Sequence, residues 1–391
     1  MDQDERESDE MIFYQSPKDL NDLANEHYAG IKEIVESRLE LVTELLTYVN
    51  TGITLQGSNL KDIKVLVIKS KTNIAGVYSA FSETHKSGNT YSDLIKSLKQ
   101  KSLNVNRLYF VKDFKSNLKN IITSLPDNLL TESKKLNNTL CKFDNWSHNE
   151  DTKKIIEWIL PYEDFRKSNN KFNWSAADLS NALNCPVCLY CNRQYITNYV
   201  HYNGRRFSGQ FDHFYGKQDH PILRLSFYNL IPSCSICNTT LKPQYNMTNG
   251  LLLHPYLSGF DEKTPNIKFE IPSTFRTDIK ADFKITIQAD QANSEHIKIK
   301  NSIETFQLDS IYQVHKELVR DIYKKTEEIN IMSLDSLRRT LKGSNANVDL
   351  SEEECYRLYF GTSLNKADYQ KRPLSKFNKD IVESLGFNFN L

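Results

Sequence analysis

The sequence predicts an α+β protein: a mostly helical chain with a small strand-and-helix unit at its centre. Three observations lead there. Residues 20–49 repeat apolar side chains at helical spacing. Two Cys-x-x-Cys pairs, Cys188/Cys191 and Cys234/Cys237, bracket strand-like segments that meet at Asn203-Gly204. Farther on, residues 266–271 (NIKFEI) and 283–289 (FKITIQA) alternate apolar and polar side chains, as half-buried strands do.

With 391 residues, 39% hydrophobic and 25% charged, the chain is long enough to bury a core and suggests two or three domains or subdomains. A net charge of +1 says little about partners, because a local basic patch can bind nucleic acid on a neutral chain. No apolar run approaches the roughly 20 residues of a membrane span. The opening MDQDERESDE is acidic and polar, unlike a secretory signal. Four of seven cysteines in two close pairs therefore point to metal rather than disulfides, and to a reducing cytoplasm.

In chain order, residues 1–10 carry six acids and one arginine and read as a solvated tail. Ser16-Pro17 reads as a helix start. Leu20, Leu23, Ile31, Ile34, Leu41, Leu45 and Val49 line one helical face, and Asn50-Thr51-Gly52 ends it. KVLVIKS is either a short strand or the start of a buried helix. Helical spacing resumes over 94–124 with a break at Asn104-Val105-Asn106. Seven Lys/Arg against one acid between Lys96 and Lys119 make either a phosphate-binding face or a solvated helix face. Residues 137–151 read as a linker, and 155–165 and 176–183 as short helices. After the strands, 306–329 has helical spacing, with His315 on the packed face. Ser351-Glu-Glu-Glu starts another helix, and RPLSKFNKDIVESLGF reads as a turn and a terminal helix.

The chemistry is concentrated between Cys185 and Lys242. Two Cys-x-x-Cys turns can give four thiolates to one tetrahedral Zn²⁺, a closed site that contributes folding energy and no catalysis. Cys185-x-x-Cys188-x-x-Cys191 offers two overlapping pairs, of which Cys188/Cys191 is favoured because Cys185-Pro186 lies nearer the preceding helix. Asn203-Gly204 is a strong hairpin signal, since a type I′ turn needs positive φ at both central residues. It joins 194–202 to 205–213 and places Asp212-His213 at a strand end. SFYNLIP then returns Asn229, and a helix capped by Ser233 or Ser235 carries Asn238 and Lys242, four apart and so on one face.

This order, with Asp212-His213, Asn229 in NLIP and Asn238 in CNTTLK framed by CLYC and CSIC, resembles the HNH endonucleases. The likeness covers residues 185–245 and implies a zinc-stapled ββα-metal core, a metal-dependent nuclease. It implies His213 as general base, Asn229 holding and orienting that imidazole, and Asp212 and Asn238 holding a catalytic Mg²⁺ or Mn²⁺. Asparagine at the third position is a weaker ligand than the histidine often found there. The chemistry is self-consistent: a neutral imidazole takes a proton from water, and an oxygen-ligated cation stabilises charge on the phosphate. Arg205, Arg206, Lys217 and Lys242 are candidate phosphate contacts, with solvated surface charge the even alternative for the arginine pair. His254, in an HPY run, is either a further metal ligand or phosphate contact, or a turn cap.

The DHFYGK…LSFYNLIPSCxxCN stretch, the HPY and a late RPLSK are also similar to PtuB-like HNH nucleases of Septu-type antiphage systems. That likeness implies an ABC/AAA-type ATPase partner and a nucleic acid substrate, DNA favoured over RNA. The expected organisation is a helical region over 1–150 for docking or gripping nucleic acid, a core over 175–260, and an α+β extension over 261–391. The competing expectation is a zinc-stabilised nucleic-acid-binding or scaffold protein without catalysis.

Overall fold

A computed structural model describes residues 18–52, 56–73, 75–77, 105–141, 150–167, 172–202, 204–242, 252–257, 267–289, 296–331, 334–342, 350–363 and 365–386. The acidic tail, Ser16-Pro17, Asn203 and most of the basic run before Val105 lie outside them.

Helix α1 spans Leu20–Thr51 and is capped by Asp19, whose carboxylate accepts from the amides of Asn21 and Asp22. Gly52 ends it with φ 72°, a left-handed turn that glycine adopts without steric cost. Its apolar stripe is buried from Leu23 to Leu46 and packs within the chain. Helices α2 (Gly57–Lys69) and α3 (Val105–Ile122) lie against it. KVLVIKS is thus helix, with Ile63 and Val67 buried against α1. On α3, Lys112, Lys115 and Lys119 are exposed and Lys115 pairs with Glu40 at 2.6 Å, so these lysines form a solvated face, whereas Arg107 of the same basic run is buried. Helix α4 (Leu129–Cys141) extends into the segment read as a linker.

Helices α5 (Glu150–Ile159), α6 (Tyr162–Arg166) and α7 (Ala176–Leu183) lead into the central unit. A Ser175/Asp178 capping box starts α7, so orphan amides at that end are satisfied locally. Three two-stranded antiparallel sheets follow among the described residues. Strand β1 (Asn198–His201) pairs with β2 (Gly204–Phe207) as the Asn-Gly hairpin. Strand β3 (Gln210–His213) pairs with β4 (Leu230–Ser233), and a wide π-type turn, Ile236–Leu241, succeeds β4.

The two hairpin arms were expected to run unbroken to His213. Instead the chain breaks at Ser208-Gly209, and Asp212-His213 belongs to the second sheet. At Gly209 a Cβ would stand 2.6 Å from Cζ of Phe207 and 2.7 Å from Cβ of Ile196, so only glycine allows this close pass.

The C-terminal region contains β5 (Ile267–Glu270) paired with β6 (Thr286–Ala289), as the alternation predicts. Helices α8 (His296–Thr305), α9 (Leu308–Ile311), α10 (Lys316–Ile331), α11 (Leu334–Lys342), α12 (Glu352–Phe360) and α13 (Ser375–Ser384) complete it. A Ser351/Glu354 capping box starts α12 where the sequence placed it, and Gly361 ends it. Helix α13 is buried almost throughout, and its Lys376 and Asp380 pair at 2.9 Å away from solvent. One apolar core runs from α1 through the central unit to α13. No helix among the described residues is long and apolar enough to cross a membrane.

Candidate functional site

Two nested features form the site. The first is a buried cluster of four thiols, Cys188, Cys191, Cys234 and Cys237, whose sulfurs all lie within 4.8 Å of one another. Among the described residues it is the one group of three or more His, Cys, Asp or Glu ligand atoms so gathered. Cys188 and Cys191 lie on a tight turn: the Asn192 amide donates to the Cys188 carbonyl at 2.9 Å, with Asn192 at φ 44°. The Leu189 amide donates to the Pro232 carbonyl at 3.2 Å, which holds this knuckle against β4 and the second pair. Cys185 is outside the cluster. Its thiol donates to the Val187 carbonyl at 3.3 Å, and burial pushes its pKa up to about 12. The favoured Cys188/Cys191 pairing is the one that converges.

Four soft donors at this spacing suit a metal ion such as zinc. Tetrahedral zinc–sulfur bonds of about 2.3 Å imply sulfurs about 3.8 Å apart, and Cys191 and Cys234 lie 4.0 Å apart. Burial holds the Cys188 thiol well above its ordinary range, and a metal ligand must be a thiolate, so metal binding at such a cluster releases protons.

The second feature is the β3–loop–β4–turn unit. Asp212 and His213 lie on opposite faces of β3, as period two requires. Oδ2 of Asp212 accepts from the Tyr190 hydroxyl at 2.6 Å and from the Lys242 ammonium. Lys242 also donates to the carbonyls of His213 at 2.5 Å and Phe214 at 3.2 Å, which accounts for its three N–H groups. It is 6% exposed, so the expectation that it contacts phosphate is not met. The Lys242 amide bonds the Cys237 carbonyl, five residues back, at the end of the widened turn. Asn238 instead donates to Oε1 of Gln210 at 2.5 Å, joined there by Thr239 at 2.9 Å.

His213 is 8% exposed. Its Nε2 meets the Arg224 carbonyl at 3.0 Å. A carbonyl only accepts, so Nε2 carries the proton and Nδ1 keeps its lone pair. Nδ1 has no hydrogen-bond partner among the described residues. The Tyr162 ring packs edge-on at 4.4 Å, with its hydroxyl on the Phe211 carbonyl at 2.8 Å. Burial lowers the His213 pKa to about 3; the Arg224 carbonyl opposes this, while Lys217, Lys242 and Arg224 add to it. The imidazole is neutral across the physiological range.

Asn229 is fully buried, but its amide does not touch the imidazole. Its Oδ1 accepts from the Tyr215 amide at 2.8 Å. Its Nδ2 donates to the carbonyls of Tyr215 at 3.1 Å and Leu223 at 3.0 Å. It ties together the base of the loop, and Leu223 precedes the residue whose carbonyl holds His213. The direct bond to the imidazole that the resemblance implied is not among these contacts.

His254 is buried, packs on Phe214 at 4.3 Å, and accepts the Tyr256 amide on Nδ1 at 3.3 Å. That contact matches the turn-capping alternative, while Nε2 is sealed with no hydrogen-bond partner among the described residues; burial lowers the pKa to about 3. Asp212, Asn238 and His254 thus do not present a common cage for Mg²⁺ or Mn²⁺. Lys242 sits on the Asp212 carboxylate, Asn238 turns to Gln210, and His254 turns to its own backbone. Of the remaining phosphate candidates, Arg206 is exposed on β2. Lys217 pairs with Glu163 at 3.3 Å and lies over the Tyr162 ring at 5.6 Å. The Arg205 side chain lies outside the description.

Sequence reasoning missed Tyr190, Tyr162, Gln210 and Arg224. Gln210 was reachable, since period two from Asp212 puts it on the same face. Tyr190 lies inside the first Cys-x-x-Cys, where spacing draws attention only to the thiols. Tyr162 and Arg224 arrive through tertiary packing and left no local signal.

No family model, curated protein or solved structure matches the chain.

Proposed function

We propose that the protein is an HNH-type endonuclease that hydrolyses phosphodiester bonds in nucleic acid, DNA favoured and RNA also open, with a structural Zn²⁺ in its thiol cluster. The observation that carries this reading is His213: a neutral imidazole whose proton is fixed on Nε2 by a carbonyl and whose Nδ1 lone pair has no hydrogen-bond partner among the described residues. That is the state a general base needs before it takes a proton from water. A phosphate beside it would raise the low pKa, because an anion favours the protonated ring. The strand–loop–strand–turn order around His213 fits the resemblance drawn from residues 185–245.

The resemblance adds a divalent ion on Asp212 and Asn238. With Lys242 on the Asp212 carboxylate, Mg²⁺ or Mn²⁺ has no seat in this arrangement, and no step is drawn through it. Lys242 is the cation beside the base. The partner in this proposal is an ABC/AAA-type ATPase that licenses cutting in antiphage defence; it rests on the sequence resemblance alone.

The test is a nuclease assay on supercoiled plasmid, single-stranded DNA and tRNA. It uses wild type and His213→Ala, with Mg²⁺, Mn²⁺ or chelator, alone and with any ATPase encoded beside it. Loss of a general base lowers the rate by about 10²–10⁴-fold. Equal cutting by both proteins would sink the assignment. One observation favours a second reading, a zinc-stabilised binding or scaffold protein: Asp212, Lys242 and Asn238 all have internal partners. Tight nucleic acid binding with no cutting under any of these conditions would support it.

A further inference from the structure

A cavity of about 350 Å³ lies beside the candidate base, on the side of Tyr162 and Arg224. Arg38 from α1, Trp158 from α5, Asp164 from α6, Tyr162 and Arg224 line it, with Glu157 at its wall. Two arginines at such a place are unusual in their burial: Arg38 is 2% exposed and Arg224 5%. Each is only partly satisfied. Arg38 donates from Nη1 to the Trp158 carbonyl at 2.5 Å, lies over the Trp158 ring at 4.9 Å, and has Asp164 3.8 Å away. Arg224 donates from Nη1 to Glu157. The Nε–H of both has no partner among the described residues.

Those two N–H groups are sealed from solvent, so what the cavity offers a ligand is the charge of two guanidinium groups, each making a single hydrogen bond through Nη1. The ligand class that suits the planar N–H fork is an oxyanion, and phosphate is its commonest biological form. Glu157 does not close the site against one: its side chain is 46% exposed and free to swing into water. The Trp158 and Tyr162 rings offer apolar surface to a sugar or base, and the volume lies within the range of small-molecule sites.

We propose that this cavity is a phosphate subsite, in which Arg38 and Arg224 take the phosphate of a nucleotide in place of Glu157. The coupling to His213 rests on the endonuclease reading; the phosphate site itself does not. Arg224 joins the two, because its guanidinium lines the cavity while its carbonyl holds Nε2 of His213. A phosphate drawn onto the Arg224 side chain fixes the segment that sets the imidazole.

The experiment is calorimetric titration of the full chain with inorganic phosphate, a 5′-mononucleotide and a 5′-phosphorylated single-stranded oligonucleotide. Wild type, Glu157→Gln and Arg38→Met are compared, each checked for folding by circular dichroism. Phosphate and nucleotide are expected to bind wild type, several-fold more tightly to Glu157→Gln, and at least about tenfold more weakly to folded Arg38→Met, as loss of one charge-assisted contact implies. Competition between oligonucleotide and mononucleotide assigns the site to the substrate strand, whereas mononucleotide binding alone assigns it to a free nucleotide. If Arg38→Met does not fold, Glu157→Gln decides alone: affinity equal to or below wild type overturns the proposal. So does the absence of phosphate binding by both wild type and Glu157→Gln. Phosphate binding without any His213-dependent cutting keeps the subsite and removes the endonuclease reading. Cutting that persists in folded Arg38→Met with unchanged nucleotide affinity does the reverse.

Discussion

Replacing Lys242 with methionine leaves the Asp212 carboxylate buried with only the Tyr190 hydroxyl for a partner. Breaking one side of a buried ion pair costs about 3–5 kcal/mol, and Lys242 and Asp212 are 7% and 5% exposed in their side chains. Urea denaturation should show a loss of that order for Lys242→Met and a substantial recovery in Lys242→Met/Asp212→Asn, where the carboxylate charge is gone as well. A Lys242→Met midpoint equal to wild type would mean the ammonium lies in water. Asp212 and His213 were legible because they are adjacent and sit among spaced cysteines. Lys242 was read as a phosphate contact because its partner, the Asp212 carboxylate, lies 30 residues earlier and no local pattern pairs the two.

At the scale of elements, Gly209 and the thiol knuckles determine where β3 lies. Gly209→Ala pushes a methyl against Cβ of Ile196, an atom close to the backbone with little freedom to move. Overpacking of this kind costs about 1–3 kcal/mol, and thermal melting should show it; an unchanged melting temperature would mean the two chain segments are not in contact. Cys234→Ser/Cys237→Ser removes two of the four thiols. Zinc bound per chain should fall toward zero and thermal stability with it, because metal binding at such a site is folding free energy. Undiminished zinc would show that the cluster is not its seat. The alternation of residues 204–213 reads as one strand. It cannot show the break, because Gly209 keeps the period while its missing side chain lets Phe207 and Ile196 close over it.

At the scale of the whole molecule, His27 joins the first helix to the central unit. It is fully buried, with Nε2 on the Leu225 carbonyl at 2.8 Å and Nδ1 accepting from Trp174 at 3.1 Å. Burial lowers its pKa to about 4, the Leu225 carbonyl opposing the shift. The unfolded chain therefore binds a proton near pH 6.5 that the folded chain refuses until about pH 4. Its contribution is whole above pH 6.5 and is lost as the pH falls from about 6.5 to 4, on the order of 3 kcal/mol for this one group. Burial shifts His213 and His254 the same way. Denaturation midpoints should drop between pH 7 and 5, and His27→Gln should flatten that slope. A wild-type slope kept intact in His27→Gln would remove His27 as its source. The long first helix, its glycine stop and the capping boxes at Ser175 and Ser351 were readable because their signals are local. His27 against Leu225 and Arg38 against Trp158 were not, since the partners lie 198 and 120 residues away and no short-range pattern pairs them.

The first knuckle is also where the far part of the chain is fastened. The Asn192 side chain donates to the Tyr369 carbonyl at 2.8 Å, and its own carbonyl accepts from the Leu374 amide at 2.6 Å. Tyr312 reaches the Cys191 carbonyl in the same region. On the ribosome, the cysteines and His213 emerge well before these braces exist, and synthesis must pass Leu374 before the knuckle gains its last support. The knuckle between the first pair of cysteines is thus braced by residues made more than a hundred positions after it, so its bonds to Tyr312, Tyr369 and Leu374 form only once that later chain exists.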